Sequence, residues 1–168
     1  KCGTIGAVLV APNGTICSYI SAVVPEGWMS LVLQESNHPI FELELLPVWV
    51  ALHTWKAFLS HVQCVFFLDN EAAKGALIRA AASTSAEQAI LSGFVSEEMN
   101  CQIKVWFSRV PTASNISDNP SRLQTDEMDA LGVNRSDVAW QDLWKLLGDY
   151  GSRHRGFEAG SVDVLPIC

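Results

Sequence analysis

The chain has 168 residues, 49% of them apolar and 17% charged, which is enough to close the core of one domain and excludes disordered, collagen-like and mucin-like classes. Lys and Arg number 11 against 18 Asp and Glu, giving a net charge of −7 and a pI near 4.9. That balance is the opposite of a basic surface built to grip nucleic-acid phosphates.

Thr4 to Val10 reads as a strand, and the Pro12-Asn13-Gly14 turn signal leads into a second run, Thr15 to Val24. The pair predicts a β-hairpin. Between Trp28 and Ile40, Leu31-Val32-Leu33 fits a third strand, while Ser36-Asn37-His38-Pro39 breaks any regular element. Leu45, Leu46, Trp49, Leu52, Trp55 and Leu59 recur at helical spacing and predict a helix over 42–59. An interior Pro47 would cost it about 3 kcal/mol. The objection is met if the helix starts near Leu43, because first-turn amides have no intrahelical partner to lose.

Val62 to Leu68 is a continuous apolar run, which predicts a strand buried on both faces. Asp69 or Asn70 can cap a helix over 71–82, and Ser85 with Gln88 in capping-box spacing opens another from Ala86 to about Ser96. Ile103 to Phe107 is the next strand, followed by a loop over Pro111 to Asn115 and a further helical start. The order implies an α/β fold: a mixed sheet, with opening antiparallel strands and then parallel ones, flanked by helices.

Residues 124–168 differ in character. Val138, Trp140, Leu143, Trp144 and Leu147 predict one amphipathic helix over 137–147, and Gly148 to Cys168 shows little periodicity. This extension holds 8 acidic and 4 basic residues, −4 of the −7, so the first 123 residues carry only −3. The division predicted is a domain over 1–123 and an acidic C-terminal extension over 124–168. Trp49, Trp55, Trp140 and Trp144 fall at apolar helical positions and are expected in the core.

The five cysteines include no C-x-x-C pair and no close Cys/His grouping, which points away from a disulfide framework or a zinc site. Cys64 and Cys101 sit in apolar runs as small hydrophobes, and the set favours a reducing, intracellular compartment, cytoplasm or nucleus. His53, Lys56, His61 and Gln63 interrupt the most apolar stretch, Leu45 to Leu68, so no membrane span is expected. A start at Lys1 that runs at once into an apolar strand reads as a fragment whose beginning lies upstream.

Three acids stand out by placement. Glu44 opens the first long helix, Asp69 ends a buried strand, and Asp118 follows the loop after the next strand. In open α/β sheets, ligands collect beyond strand carboxyl ends. Each acid also has a local explanation: a first-turn acid for Glu44, a helix N-cap for Asp69, and a turn residue before Asn119-Pro120 for Asp118. If the three converge, their repulsion calls for a cation, and hard oxygen ligands suit Mg²⁺ or Mn²⁺. A pair of such ions can activate a water and stabilise the leaving oxygen in phosphodiester cleavage.

The local sequences resemble those of ribonuclease H domains. Glu44-Leu45-Leu46-Pro47-Val48-Trp49-Val50-Ala51-Leu52 resembles the family helix with a Glu-Leu pair and an Ala-Leu end, and Phe66-Phe67-Leu68-Asp69-Asn70 its central strand ending in Asp. Asn115-Ile116-Ser117-Asp118-Asn119-Pro120-Ser121-Arg122 is similar to the Asn-x-x-Ala-Asp-x-x-Ser-Arg ending found in retrotransposon reverse transcriptases. The three occur in family order across about residues 1–123. The resemblance implies hydrolysis of the RNA strand of an RNA–DNA hybrid with two Mg²⁺ (or Mn²⁺) ions, Glu44, Asp69 and Asp118 being the catalytic metal ligands. It also implies a polymerase domain upstream in the same polyprotein. Glu42 is the rival glutamate, but Glu44 keeps the register to Ala51-Leu52.

Asn70, Asn115 and Ser117 flank these acids and are candidate substrate contacts to phosphate, sugar or the 2′-OH, with local capping as the alternative for each. Lys74, Arg79, Arg109 and Arg122 are candidate phosphate partners or plain surface charge. Two departures matter. The family's first aspartate precedes the segment matched by Gly6-Ala7-Val8-Leu9, and no acid precedes Glu26, so that residue is expected before Lys1 and the chain as it stands is expected to be impaired. The family's loop histidine has no counterpart over 111–114. The competing expectations are an inactive structural or connection module of the same fold, and another metal-dependent nuclease on the same sheet.

Overall fold

The computed structural model describes residues 3–33 and 40–153, with side chains described through 148. Strand β1 (Thr4–Val10) and strand β2 (Ile16–Val23) form the hairpin, antiparallel, with Ile5 opposite Ala22 and Val8 opposite Tyr19. Gly14 closes the turn with φ +86°, a left-handed conformation that a side chain would strain. Helix α1 follows over Glu26–Leu33. The third-strand expectation for Leu31 to Leu33 is corrected: Trp28, Met29, Leu31 and Val32 are buried together, and that is helical spacing rather than alternation.

Helix α2 runs over Ile40–Leu59 and contributes Leu45, Leu46, Trp49, Val50 and Leu52, all fully buried, to the core. It begins earlier than expected, so Pro47 lies in its interior and not in the first turn. The lost backbone bond, about 3 kcal/mol, is offset by apolar burial at about 1.5–3 kcal/mol per large side chain.

Strand β3 (Gln63–Leu68) leads into helix α3 (Glu71–Arg79), then helix α4 (Ser85–Asn100) and strand β4 (Lys104–Arg109), which pairs parallel with β3. The α3 cap is Asn70, whose Oδ1 accepts from Ala73 N at 3.0 Å. The α4 box lies one residue earlier than expected, with Thr84 and Glu87 bonding reciprocally. Burial of β3 on both faces is also corrected. Phe66 and Phe107 pack with Phe94 of α4, ring centroids 6.0 and 5.8 Å away, while Val65, Phe67 and Trp106 on the other face are 50, 64 and 68% exposed.

A short helix α5 (Asp118–Ser121) and helix α6 (Asp126–Ala130) precede strand β5 (Asn134–Arg135), which adds parallel to β2. Helix α7 (Trp140–Arg153) starts and ends later than the periodicity placed it. The fold is thus α/β, with antiparallel and parallel strands flanked by helices; the described strands form two hydrogen-bonded sets, β1-β2-β5 and β3-β4.

Residues beyond 123 share the same core. Met128, Leu143 and Leu147 are buried, Trp55 Nε1 donates to Ser136 Oγ at 3.0 Å, and Tyr19 donates to Asp129 at 2.8 Å. Trp140 and Trp144 close on Trp28, with centroids 5.9 and 5.4 Å away. Trp49 and Trp55 are core residues as expected.

Candidate active site

Each of the three singled-out acids is positioned by a different device. Glu44 is half-buried near the start of α2, two residues beyond a fully buried Glu42. Asp69 directly follows β3, whose last carbonyl, Leu68 O, accepts from Val110 N at 2.9 Å and ties the strand end to β4. With Asn70 serving as the cap, the Asp69 carboxylate is not the group that closes α3.

Asp118 opens α5, and α5 is clamped on the hairpin. Ser21 Oγ donates to Pro120 O at 2.7 Å, and Pro120 is buried. A Cβ on Gly6 would stand 2.7 Å from the carbonyl carbon of Pro120 and closer still to Ser121 N, so only glycine permits this approach. The preceding turn is built by Asn115, whose Oδ1 accepts from both Ser117 N at 3.1 Å and Ser117 Oγ at 2.7 Å. Asn70, Asn115 and Ser117 therefore all make local bonds beside the acids.

The structure brings Glu44, Asp69 and Asp118 into one electrostatic neighbourhood. Burial pushes the Glu44 carboxyl above its ordinary range, and the charges of Asp69 and then Asp118 push it further. Helix α2, which carries Glu44, packs on both β1 and β3 and so joins the two strand sets. Glu42, the rival, is 2% exposed in the interior.

Among the described residues no group of three or more His, Cys, Asp or Glu side chains stands close enough to hold a single metal ion. The two observations concern different ranges. Coulomb coupling reaches across several ångströms, whereas Mg²⁺ needs oxygens at about 2.0–2.1 Å and commonly takes only one or two carboxylates, filling the rest with water and phosphate oxygens. In its chemistry the donor set suits a divalent ion on those terms: three carboxylates that offer hard oxygens, one of them, Glu44, disfavoured as an anion by its surroundings.

The cations nearby are engaged. Lys74 Nζ lies 2.7 Å and Arg109 Nε 3.9 Å from Glu71, and Arg122 pairs with Asp118 at 3.2 Å. Sequence reasoning missed Gly6 and Ser21, which fix Asp118 from nearly a hundred residues away or more. It also missed a buried network between α2 and α4: Glu97 accepts from Trp49 Nε1 at 2.8 Å and lies 2.5 Å from His53 Nδ1, with Lys56 at 3.7 Å. No local motif marks it, since its members lie 41 to 48 positions from Glu97.

Compared with known proteins, the chain matches no family model, no curated protein and no solved structure. Among the described residues no helix is long and apolar enough to cross a membrane.

Proposed function

We propose that the chain is a ribonuclease H-like domain of a retroelement reverse transcriptase, hydrolysing the RNA strand of RNA–DNA hybrids with Mg²⁺ or Mn²⁺ ions at Glu44, Asp69 and Asp118, in an intracellular compartment and beside a polymerase domain. The observation that carries this reading is that the charges of Asp69 and Asp118, from separate elements, both act on Glu44, whose carboxyl is pushed up first by burial and then by those two charges. The order and spacing of the motifs that resemble the family supply the substrate class. Bound divalent ions would supply an activated water and charge stabilisation of the leaving oxygen.

The chain's own residues do the rest. Glu44, Asp69 and Asp118 offer oxygens held beyond the first turn of α2, at a strand end and at a clamped turn. Asn70, Asn115 and Ser117 line the same turns and present polar groups to sugar and phosphate, with the 2′-OH as the feature that separates RNA from DNA. The net −3 of residues 1–123 includes these three acids, so bound cations would offset the charge that first argued against a polynucleotide. No strong basic patch exists in the sequence, so binding is expected to be weak and salt-sensitive.

The decisive assay is cleavage of a labelled RNA–DNA hybrid by the natural product containing this chain, with and without divalent cation. Cleavage is expected only with Mg²⁺ or Mn²⁺, and Asp69→Asn should reduce it at least ~100-fold, the loss that about 2.7 kcal/mol of transition-state stabilisation produces. An active Asp69→Asn protein overturns the assignment. A second reading, an inactive connection module of the same fold, is favoured by the open apolar face of Val65, Phe67 and Trp106. Absence of cleavage in the intact wild-type product, with the fold retained, selects it.

A further inference from the structure

We propose that Arg122 is the resident counter-cation of Asp118, a positioning residue that competes with divalent metal for the carboxylate and is released to a substrate phosphate when metal and nucleic acid arrive together. The inference rests on the reading of Glu44, Asp69 and Asp118 as metal ligands.

Arg122 Nε and Nη2 both lie 3.2 Å from one oxygen, Asp118 Oδ1. The guanidinium does not span both carboxylate oxygens in the fork that makes Arg–carboxylate pairs strong. Its side chain is 64% exposed, against 34% for Asp118, so the pair stands in solvent and holds its partner only about two- to five-fold in an equilibrium constant. A phosphate, which can take the fork bidentately, is a better partner for the same group.

Exchange requires no movement of the backbone. Arg122 follows α5, its N–H donates to Asn119 O at 3.0 Å, and the turn is pinned through Ser21 and Gly6. The side chain alone can swing. The other nearby cations are placed differently: Lys74 and Arg109 both neutralise Glu71, which is not one of the three acids. Among the ion pairs of the described residues, Arg122–Asp118 is the one that joins a cation to a proposed ligand. A metal ion at Asp118 and a guanidinium on the same oxygen repel each other, so each weakens the other until phosphate draws the guanidinium away.

The test measures Mn²⁺ binding to the chain by the electron paramagnetic resonance signal of free Mn²⁺, and hybrid binding by fluorescence anisotropy. Arg122→Gln should bind Mn²⁺ about two- to five-fold more tightly and bind hybrid several-fold more weakly, with Arg122→Lys recovering part of the hybrid affinity. A residue that merely caps α5 would shift both affinities in the same direction or neither. Equal or weaker Mn²⁺ binding by Arg122→Gln overturns the proposal. Asp69→Asn separates the two readings: if it loses Mn²⁺ and Arg122→Gln gains none, only the role of Arg122 falls. Should wild type bind no Mn²⁺, or Asp69→Asn bind it equally well, the metal-site reading falls and the role of Arg122 with it.

Discussion

The hairpin set, β1-β2-β5, and the parallel pair, β3-β4, hold the acids proposed as metal ligands in opposite ways. Asp69 is placed by its own neighbours in sequence: an apolar strand, a backbone bond from Val110, and an asparagine cap one residue on. Asp118 is placed by distant ones, through the contact of Gly6 with Ser121 and the bond of Ser21 to Pro120. The first mode survives local sequence reading, whereas the second depends on the fold being complete. The sets also differ in cover, since the hairpin packs against both α2 and α5, but β3-β4, which touches α2 and α3 and packs Phe66 and Phe107 on Phe94 of α4, leaves Val65, Phe67 and Trp106 exposed on its other face.

The largest effect should come from the packed face of the parallel pair. Phe94 is 2% exposed and meets the rings of Phe66 and Phe107, so Phe94→Ala should cost about 3–5 kcal/mol, read by denaturant unfolding. In the hairpin set the sensitive position is a glycine. Gly6→Ala drives a methyl into the backbone of α5, which cannot turn aside as a side chain would, and about 1–3 kcal/mol or more is expected. Beyond stability, Gly6→Ala should weaken Mn²⁺ binding through Asp118, whereas Phe94→Ala at temperatures where it stays folded should not. Equal loss of metal affinity in both variants would show that the two acids are not held independently.

Legibility followed the same division. The bounds of β1 and the end of β3 at Leu68 were readable because Gly, Pro, Asn and Asp punctuate apolar runs there, and the placement of Asp69 and Asp118 at element ends was readable with them, whereas Glu44 is the fifth residue of α2 and Glu42 takes the first turn. Helix α1 was not legible: Leu31-Val32-Leu33 has the composition of a strand, and only the joint burial of Trp28, Met29, Leu31 and Val32 discloses the helical spacing. An apolar run cannot disclose which of its faces will be covered, so the exposure of Val65 and Phe67 had no sequence signal. The burial of Leu143 and Leu147 did have one, since their amphipathic helix says that one face is covered, but it does not say by what.

A smaller effect concerns pH. The Glu44 carboxyl, raised mainly by burial and then by Asp69 and Asp118, holds its proton more tightly in the fold than at its ordinary value of 4.5. Its contribution to stability is therefore fully present below that value and is lost as pH rises through the raised one. Without metal, Glu44→Gln should be more stable than wild type at pH 7, with the gap closing near pH 4. Divalent cation reverses the sign by favouring the charged form, so wild type should gain more thermal stability from Mg²⁺ than the variant does. If the variant is no more stable at pH 7, neither burial nor the charges of Asp69 and Asp118 hold the Glu44 proton.

The smallest effect should fall on the open face of β3-β4, and its smallness is what makes it informative. Trp106 is 68% exposed beside Val65 and Phe67, and replacing it with Thr keeps a residue suited to a strand. With no packing to lose, Trp106→Thr should change unfolding stability by no more than about 0.5 kcal/mol, against the several expected at Phe94 on the opposite face. A contiguous face of exposed Val, Phe and Trp is nonetheless uncommon on a free surface. A cost above about 2 kcal/mol would fall in the range of a packed core side chain and would mean that the face is covered in solution. The contrast between the two faces of the sheet would then disappear, and the parallel pair would be enclosed as the hairpin set is.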